Sequence, residues 1–555
     1  MGDVTQAARA KETVVFSPPR PGMWELETTH HGVRPLSPLI RDAYQRAFQD
    51  GAKTLVETYG LPLDGIDAEL VHGCFYIRPR GLGEGNKPSP VPPKVIMKLI
   101  ARLHPGMRRR NRAASLAFST KHWRTEVDRW FNQDRQLLIE RNLQLQSVDL
   151  TALDDVALAA EITGLLNHFE TQARRNVETH GGDLIPVGDL LAHCERWAIT
   201  APEAATLLVR CSPATVETAE LLGPVARALA SCAVPPASIE AVRSLGPEAR
   251  EAVDAWERLH AWRLVTSDEV DRPTLAELAS LRLASLLAAV DPEAVVASLA
   301  APDVAGIRAR VPAASRSLFE ELVTEARYGM RQREDIRGVC WNWPGGLVRR
   351  AMLEAGRRLT DRDQLHAPEH AAELFPKELT ELLVRGSGPS PTELAERAAL
   401  RDRIEAMPPP RILGDVEAPP PLDALPAPMA RATAAMMAIL LADATAPDGE
   451  ALRGVGIGTQ VYQGRACVVR DAADAFDRLQ PGDVMIAAFT GPSFNSILPI
   501  LGALVVEEGG ALCHAAIVAR EFGLPAVIGA KGATSLIADG AMVEVDPVTG
   551  LVRPC

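Results

Sequence analysis

The stretch Glu507-Glu508-Gly509-Gly510-Ala511-Leu512-Cys513-His514-Ala515-Ala516-Ile517-Val518-Ala519-Arg520-Glu521 decides the reading of the C-terminal part of the chain. Upstream of it, residues 503–506 form a short apolar run that reads as a buried strand. The two glycines supply a sharp turn. Residues 515–522 contain helix formers and no breaker until Gly523, which suits a C-terminal stop. Gly523-Leu524-Pro525 then leads into a second apolar run, 526–529. His514 is therefore expected near a helix N-terminus, where free backbone N–H groups and the positive end of the helix dipole favour an anion. A neutral imidazole there suits a phosphoryl carrier: nucleophilic before transfer, with its phosphate steadied by amides afterwards. By position alone, a histidine at a helix start is more commonly a cap or a surface residue.

The surrounding residues separate these alternatives. Gly-Gly-x-x-x-His-Ala-Ala-Ile-Val-Ala-Arg-Glu-x-Gly-x-Pro-Ala-Val-x-Gly, from Gly509 to Gly529, resembles the phosphohistidine swivelling (mobile) domain of the PEP-utilising enzymes. That domain is shared by phosphoenolpyruvate synthase, pyruvate phosphate dikinase, rifampicin phosphotransferase and phenylphosphate synthase. The resemblance extends upstream through Gly454-Val455-Gly456-Ile457-Gly458, Gly464-Arg465-Ala466, Pro481-Gly482-Asp483-Val484 and Thr490-Gly491-Pro492. Downstream it includes Ala533-Thr534, Asp539-Gly540 and Val545-Asp546. It implies that His514 carries the phosphoryl group and that Gly509, Gly510, Cys513 and Ala515 steady the phosphate. The family usually has Ser or Thr before the histidine, a regulatory phosphorylation site in some relatives. Cys513 in that place argues against such regulation and leaves the carrier chemistry intact.

The chain has 555 residues, enough for two to four domains. Hydrophobic residues make up 47% and charged residues 23%, as in soluble globular proteins. A net charge of −12 argues against nucleic acid as a bulk electrostatic partner. The basic run Arg108-Arg109-Arg110-Asn111-Arg112 reads as a solvated loop or helix face rather than a binding patch. The eight cysteines are scattered, with no CxxC pair and no zinc spacing, so no metal site is expected. With no signal peptide, they read as reduced thiols in a cytoplasm. No run approaches about 18 apolar residues, so no membrane span is expected.

The expected architecture is multidomain: a mainly α-helical substrate domain followed by a small α/β (β/β/α) swivelling phosphohistidine domain. Residues 1–20 read as a flexible tail and 21–406 as the helical domain. Residues 407–450 read as a Pro-rich linker with a connecting helix over 429–444, and 451–555 as the swivelling domain. Helical periodicity marks 37–59, 153–180, 202–222, 274–290 and 312–334. Residues 69–78 look extended, as a hairpin or small sheet, and 81–93 form a Gly/Pro loop. Proline-dense segments are extended and semi-stiff, which suits an arm that lets a carrier domain swivel.

Two strings in the helical part resemble the substrate domain of the same phosphotransferases. One is Pro21-Gly22-Met23-Trp24-Glu25-Leu26-Glu27 with His30-His31. The other is Arg331-Gln332-Arg333-Glu334-Asp335-Ile336-Arg337. The family places Arg-Glu-x-x-Lys residues at the second string, which makes Arg333, Glu334 and Arg337 catalytic candidates, with arginine where lysine is usual. A guanidinium grips phosphate bidentately and a carboxylate can accept a hydroxyl proton. The plain alternative for this string is a solvated helix face with ion pairs. His30, His31 and Trp24 are substrate-binding candidates, although Trp24, like Trp341 and Trp343, is the sort of residue that packs in a core.

No ATP-grasp segment, Walker-type loop or phosphoenolpyruvate barrel is read in the chain. The resemblance to the carrier and acceptor subunit of phenylphosphate synthase, and to the last two domains of rifampicin phosphotransferase, then implies a separate ATP-grasp subunit in a hetero-oligomer. Mg2+ and ATP would sit on that partner, with none held firmly by this chain. ATP would be split to AMP and phosphate, and His514 would pass a phosphoryl group to a small organic hydroxyl compound, phenol- or alcohol-like. A non-catalytic phosphorelay or regulatory protein, and a water- or pyruvate-dikinase-like subunit, remain alternatives on sequence.

Overall fold

The computed structural model describes all residues except 1–13, 28–33, 86–92, 210, 212, 266–268, 290–302, 408, 417–420, 444–451, 471–473, 476–477, 491–493 and 495–496. The side chains of 214–216, 334, 441, 443 and 499 are also outside the description.

The extended segment expected near residues 69–78 is a hairpin of β2 (Leu63–Val71) and β3 (Cys74–Gly81). With β1 (Trp24–Leu26) and β4 (Ile412–Leu413) it makes an antiparallel sheet of order β2-β3-β1-β4. The sheet covers helix α1 (Arg41–Thr58), whose buried stripe runs through Ala43, Ala47, Gly51 and Leu55. That spacing of three to four residues is what places one face of a helix in the core. Trp341 meets Tyr44 and Phe169 edge-on there, with ring centroids 4.8 and 5.7 Å away. Trp341 and Trp343 are thus core residues, 2% and 0% exposed.

Four helices carry the rest of the argument in this part: α2 (His122–Arg129), α3 (Asp155–Thr179), α4 (Gly181–Arg196) and α5 (Arg316–Met330). Glu325 on α5 fastens α2. It accepts from Trp123 Nε1 at 2.8 Å, Arg124 Nε at 2.7 Å and Lys121 Nζ at 2.8 Å.

Three continuous helices expected from periodicity are interrupted; the 274–290 pattern is a short 3-10 turn, Leu275–Glu277, followed after Leu278 by a helix over Ala279–Leu287. The 202–222 pattern is split into Ala201–Thr206 and Pro213–Ala230. Between them the carbonyls of Leu207 and Val209 accept from Arg327 Nη1 at 2.6 and 2.9 Å instead of continuing a helical ladder. Pro213 then starts the next helix, where its missing N–H costs nothing. The 312–334 pattern breaks after Met330 and resumes as α6 (Arg333–Arg337). The Gln332 side chain turns inward at the break and is fully buried, its Nε2 donating to the Thr179 carbonyl at 3.0 Å.

The connecting helix is α7 (Ala427–Asp443). Met429, Ala432, Ala435 and Ile439 are fully buried. A Cβ on Gly188 of α4 would lie 1.9 Å from the Ala435 carbonyl oxygen, so the two helices touch backbone to backbone.

The C-terminal domain is a seven-stranded sheet of order β11-β10-β6-β7-β8-β9-β5. Its strands are β5 (Val455–Ile457), β6 (Tyr462–Val469), β7 (Val484–Ala487), β8 (Ala503–Val506), β9 (Ala526–Ile528), β10 (Met542–Asp546) and β11 (Leu551–Pro554). β6 to β9 run parallel and the outer strands antiparallel. Every residue of β7, β8 and β9 is buried, as befits continuous apolar runs in parallel strands covered on both faces. Helix α8 (His514–Phe522) links β8 to β9 and packs Ala515, Ala516 and Ala519 in one cluster with Leu504, Val506 and Ile528. It ends at Gly523 with φ +63°, the left-handed stop its sequence suggested. Among the described residues no helix is long and apolar enough to cross a membrane.

Candidate functional site: a histidine at a helix start and a buried polar cluster

His514 is the first residue of α8. Gly509 takes φ +111°, and a Cβ there would lie 2.7 Å from Cys513 Sγ, so the turn requires glycine. The Cys513 N–H donates to the Gly510 carbonyl at 3.3 Å, and Cys513 then stands extended at the N-cap, with φ −65° and ψ 164°. Its own carbonyl receives the Ile517 N–H at 3.0 Å, the first rung of the helix. Gly509, Gly510, Cys513 and Ala515 are thus brought together around His514, at the end of the helix where N–H groups point outward. The His514 Nδ1 is shut off from solvent.

Two side chains stiffen this loop. Glu507 Oε1 accepts from the Thr534 N–H at 2.6 Å and its hydroxyl at 2.7 Å, holding the end of β8. Arg520, only 8% exposed, donates through Nη1 to the carbonyls of Ala511 and Ala516, clamping the turn onto the helix. Burial pulls Arg520 down to about 10, still charged at neutral pH.

The loop before His514 is seated on the helical domain. Leu512 and Ile517 join a cluster with Val187 and Leu191 of α4 and Met330 of α5. Leu512, Ile517 and Arg520 line a small void together with Leu208, Val209 and Met330. The Ala511 N–H donates to the Ala442 carbonyl at the end of α7, 2.8 Å away.

Three residues beyond Met330 lies Arg333, in the charged string singled out above. That string is not a free surface helix. Asp335 is 8% exposed and Ile336 is 2% exposed. Asp335 Oδ2 accepts from Trp130 Nε1 and from Arg135 Nε, each at 2.8 Å. These contacts fix the orientation of α6 and turn Arg333 toward α4, where its Nη1 lies 3.4 Å from Asp183 Oδ2. Arg337 is half-buried at the end of α6. The Glu334 side chain lies outside the described residues, as do His30 and His31. Trp24 is fully buried in β1 with its indole N–H on the Arg20 carbonyl at 2.9 Å, packed with Leu26, Tyr76 and Leu413.

Around Asp183 stand residues that sequence reasoning missed. His180 Nδ1 is 3.2 Å from Asp183 Oδ1, and His180 Nε2 is 3.3 Å from Asn176 Nδ2. An amide N–H only donates, so His180 Nε2 accepts and Nδ1 carries the proton given to Asp183. Tyr59 donates its hydroxyl to Glu126. Gly181 and Gly182 make room: a Cβ on Gly181 would lie 1.9 Å from the Tyr59 ring, and one on Gly182 would lie 2.3 Å from Gln332 Nε2 and 3.2 Å from Glu126 Oε2. Burial pushes the Glu126 carboxyl up to about 8, helped by the negative Asp183 and Glu178 and opposed by the Tyr59 hydrogen bond. The signal in the sequence was His180-Gly181-Gly182-Asp183, a titratable pair around two glycines at a helix junction.

A parallel sheet with a histidine at the start of its crossover helix defines a domain type, and residues 479–550 match the model of the PEP-utilising enzyme mobile domain. The match falls within the C-terminal domain. The chain is similar to an uncharacterised protein of Mycobacterium tuberculosis, 34% identical over 207 residues, which are 37% of this chain and 21% of that protein. It is 41% identical over 107 residues to the rifampicin phosphotransferase of Streptomyces sviceus, covering 19% of this chain and 12% of the enzyme. The phosphoenolpyruvate synthase of Aeropyrum pernix is 41% identical over 107 residues, 19% of this chain and 13% of that enzyme. The chain thus spans about a fifth or less of the length of these relatives.

Proposed function

We propose that this chain carries a phosphoryl group on His514 and delivers it to the hydroxyl of an organic acceptor held in the helical domain. A separate ATP-grasp subunit would load the histidine, with Mg2+ and ATP bound there. The single observation that carries this reading is the placement of His514 at the N-terminus of α8, inside a match to the mobile domain. Phosphoryl transfer demands positioning and neutralisation of the equatorial oxygens more than covalent help. The first-turn N–H groups of α8 suit the phosphate while it rests on the ring, and burial of Nδ1 favours Nε2 as the carrying atom. Arg333, held by the anchored helix α6, would supply positive charge when the group moves on. Among the described residues no group of three or more His, Cys, Asp or Glu could hold a metal ion, and no step is assigned to a metal on this chain.

The seating of Leu512 and Ile517 on α4 and α5 fits the delivery position of a swivelling carrier. Loading would require this apolar contact to open.

The test is to incubate the chain with a candidate ATP-grasp partner and radiolabelled ATP. Acid-labile label on the wild type, absent from His514→Ala, is expected. Equal label on both proteins would overturn the carrier assignment. Arg333→Ala should load normally and discharge roughly a hundredfold more slowly; equal loss in both half-reactions would remove Arg333 from the delivery step.

A further inference from the structure

From the α3–α4 junction we infer a subsite for an acceptor bearing at least two hydroxyl groups, with Asp183 as the carboxylate that takes the proton of the attacking one. This rests on the phosphohistidine reading above and names its substrate class.

The junction is built from buried polar side chains that the packing leaves with unused valences. Asn176 is 1% exposed and Gln332 is 0% exposed. Each spends its amide N–H inside the cluster, Asn176 toward His180 and Gln332 on the Thr179 carbonyl. Asn176 Oδ1 and Gln332 Oε1 have no hydrogen-bond partner among the described residues. Buried carboxamide oxygens in that condition cost free energy, and they call for donors. A carboxylic or phosphate ligand offers acceptors and would leave them unsatisfied. A compound with hydroxyl groups offers what they lack.

Asp183 stands in the same place, 1% exposed. Its Oδ1 faces the His180 proton, and its Oδ2 faces Arg333 Nη1 at 3.4 Å, longer than a good hydrogen bond. A hydroxyl that displaces this loose contact could donate to Oδ2 while a phosphoryl oxygen takes up the guanidinium. His180 and Arg333, each 15% exposed at the side chain, form the lip of the cluster, and Asp183 lies beneath them.

In the transfer step the acceptor oxygen forms a bond to phosphorus as the bond from phosphorus to His514 Nε2 breaks. The electron pair of the broken bond returns to the imidazole nitrogen. The hydroxyl proton passes to Asp183 Oδ2 and is later released to water. The second hydroxyl donates to Gln332 Oε1 and fixes the acceptor's orientation.

The test uses the full chain, phosphorylated on histidine with potassium phosphoramidate so that no partner is needed. Probes are two matched pairs, phenol with catechol and cyclohexanol with cis-1,2-cyclohexanediol. In the wild type the diol should discharge the label at least about tenfold faster than its mono-ol in one pair or both. Asp183→Asn should load as the wild type does and discharge at least about a hundredfold more slowly. Gln332→Leu should lower the rate with the diol toward that with the mono-ol, so that the preference for the diol is lost.

Unchanged discharge by Asp183→Asn, no diol preference in either pair, or a preference that survives Gln332→Leu would each overturn the proposal. Should Asp183→Asn fail to fold, as judged by near-UV circular dichroism, the Gln332→Leu comparison decides alone. Label retained by His514→Ala would instead sink the phosphohistidine reading. The subsite would then stand or fall on diol binding to the unphosphorylated chain, followed by ligand-detected NMR. Weaker binding by Gln332→Leu than by wild type supports it, and equal binding refutes it.

Discussion

Replacing Glu126 by Gln should remove a pH dependence of stability that the burial of this one carboxyl creates. In the fold Glu126 titrates near about 8, against an ordinary value of 4.5. The folded state therefore keeps its proton to higher pH than the unfolded state. The stabilisation is full below about pH 4.5 and is lost as pH rises through about 8. With 1.36 kcal/mol per tenfold difference in proton affinity, the loss is about 1 kcal/mol at pH 5, about 3 at pH 7 and about 5 at pH 9. Gln keeps the shape, can still accept from Tyr59 and does not titrate. The stability of Glu126→Gln relative to wild type should thus rise by about 2.5 kcal/mol between pH 5 and pH 7, and by about 4 by pH 9. The groups facing Glu126 are Tyr59, His122 at 3.7 Å, Asp183 and Glu178, and they are common to both proteins. Urea unfolding followed by tryptophan fluorescence reports on the region directly, since Trp123 and Trp130 lie one turn away on either side. Parallel curves for the two proteins across this range would refute the buried, protonated Glu126.

Gly181→Ala would press a methyl group against the Tyr59 ring and should cost roughly 1–3 kcal/mol, seen as a lower denaturation midpoint; an unchanged midpoint would refute that close approach. Leu512→Ala, at a site 1% exposed, should remove about 3 kcal/mol of docking contact and raise the radius of gyration in small-angle scattering without unfolding the carrier sheet. An unchanged radius would show that the seat does not depend on Leu512. Gly523→Ala puts a side chain at φ +63° and should cost about 1 kcal/mol, with faster amide exchange at Leu524, whose N–H is bonded to the Ala519 carbonyl at 2.9 Å.

What the sequence disclosed, it disclosed through short-range signals. The strand at 503–506, the glycine turn, the helix ending at Gly523 and the strand from Ala526 all follow from patterns within five to ten residues. The hairpin around residues 69–78 and the helix after the proline-rich segment are local in the same way. The polar cluster was not legible because it is tertiary. Glu126 and Asp183 come from two helices and Gln332 from the break after a third, all far apart in the chain, and they meet only because Gly181 and Gly182 let Tyr59 and Gln332 approach. The breaks after Thr206 and Met330 were hidden for a related reason. Periodicity continues across them, and what stops the helix is a distant arginine on two carbonyls in one case and a buried glutamine in the other. Arg333 was picked out from the string that contains it, yet its orientation depends on Trp130 and Arg135 gripping Asp335, which no local pattern reveals.

The central claim is that His514 is the atom-level carrier. It is tested most directly by loading the full chain in the presence of ATP and a candidate ATP-grasp partner, digesting it at mildly alkaline pH and mapping the phosphate by mass spectrometry. The account places an acid-labile phosphate on the peptide that contains His514, attached to Nε2, and none on that peptide from His514→Ala. Phosphate found on a serine, a threonine or another histidine, with the His514 peptide bare, would contradict it.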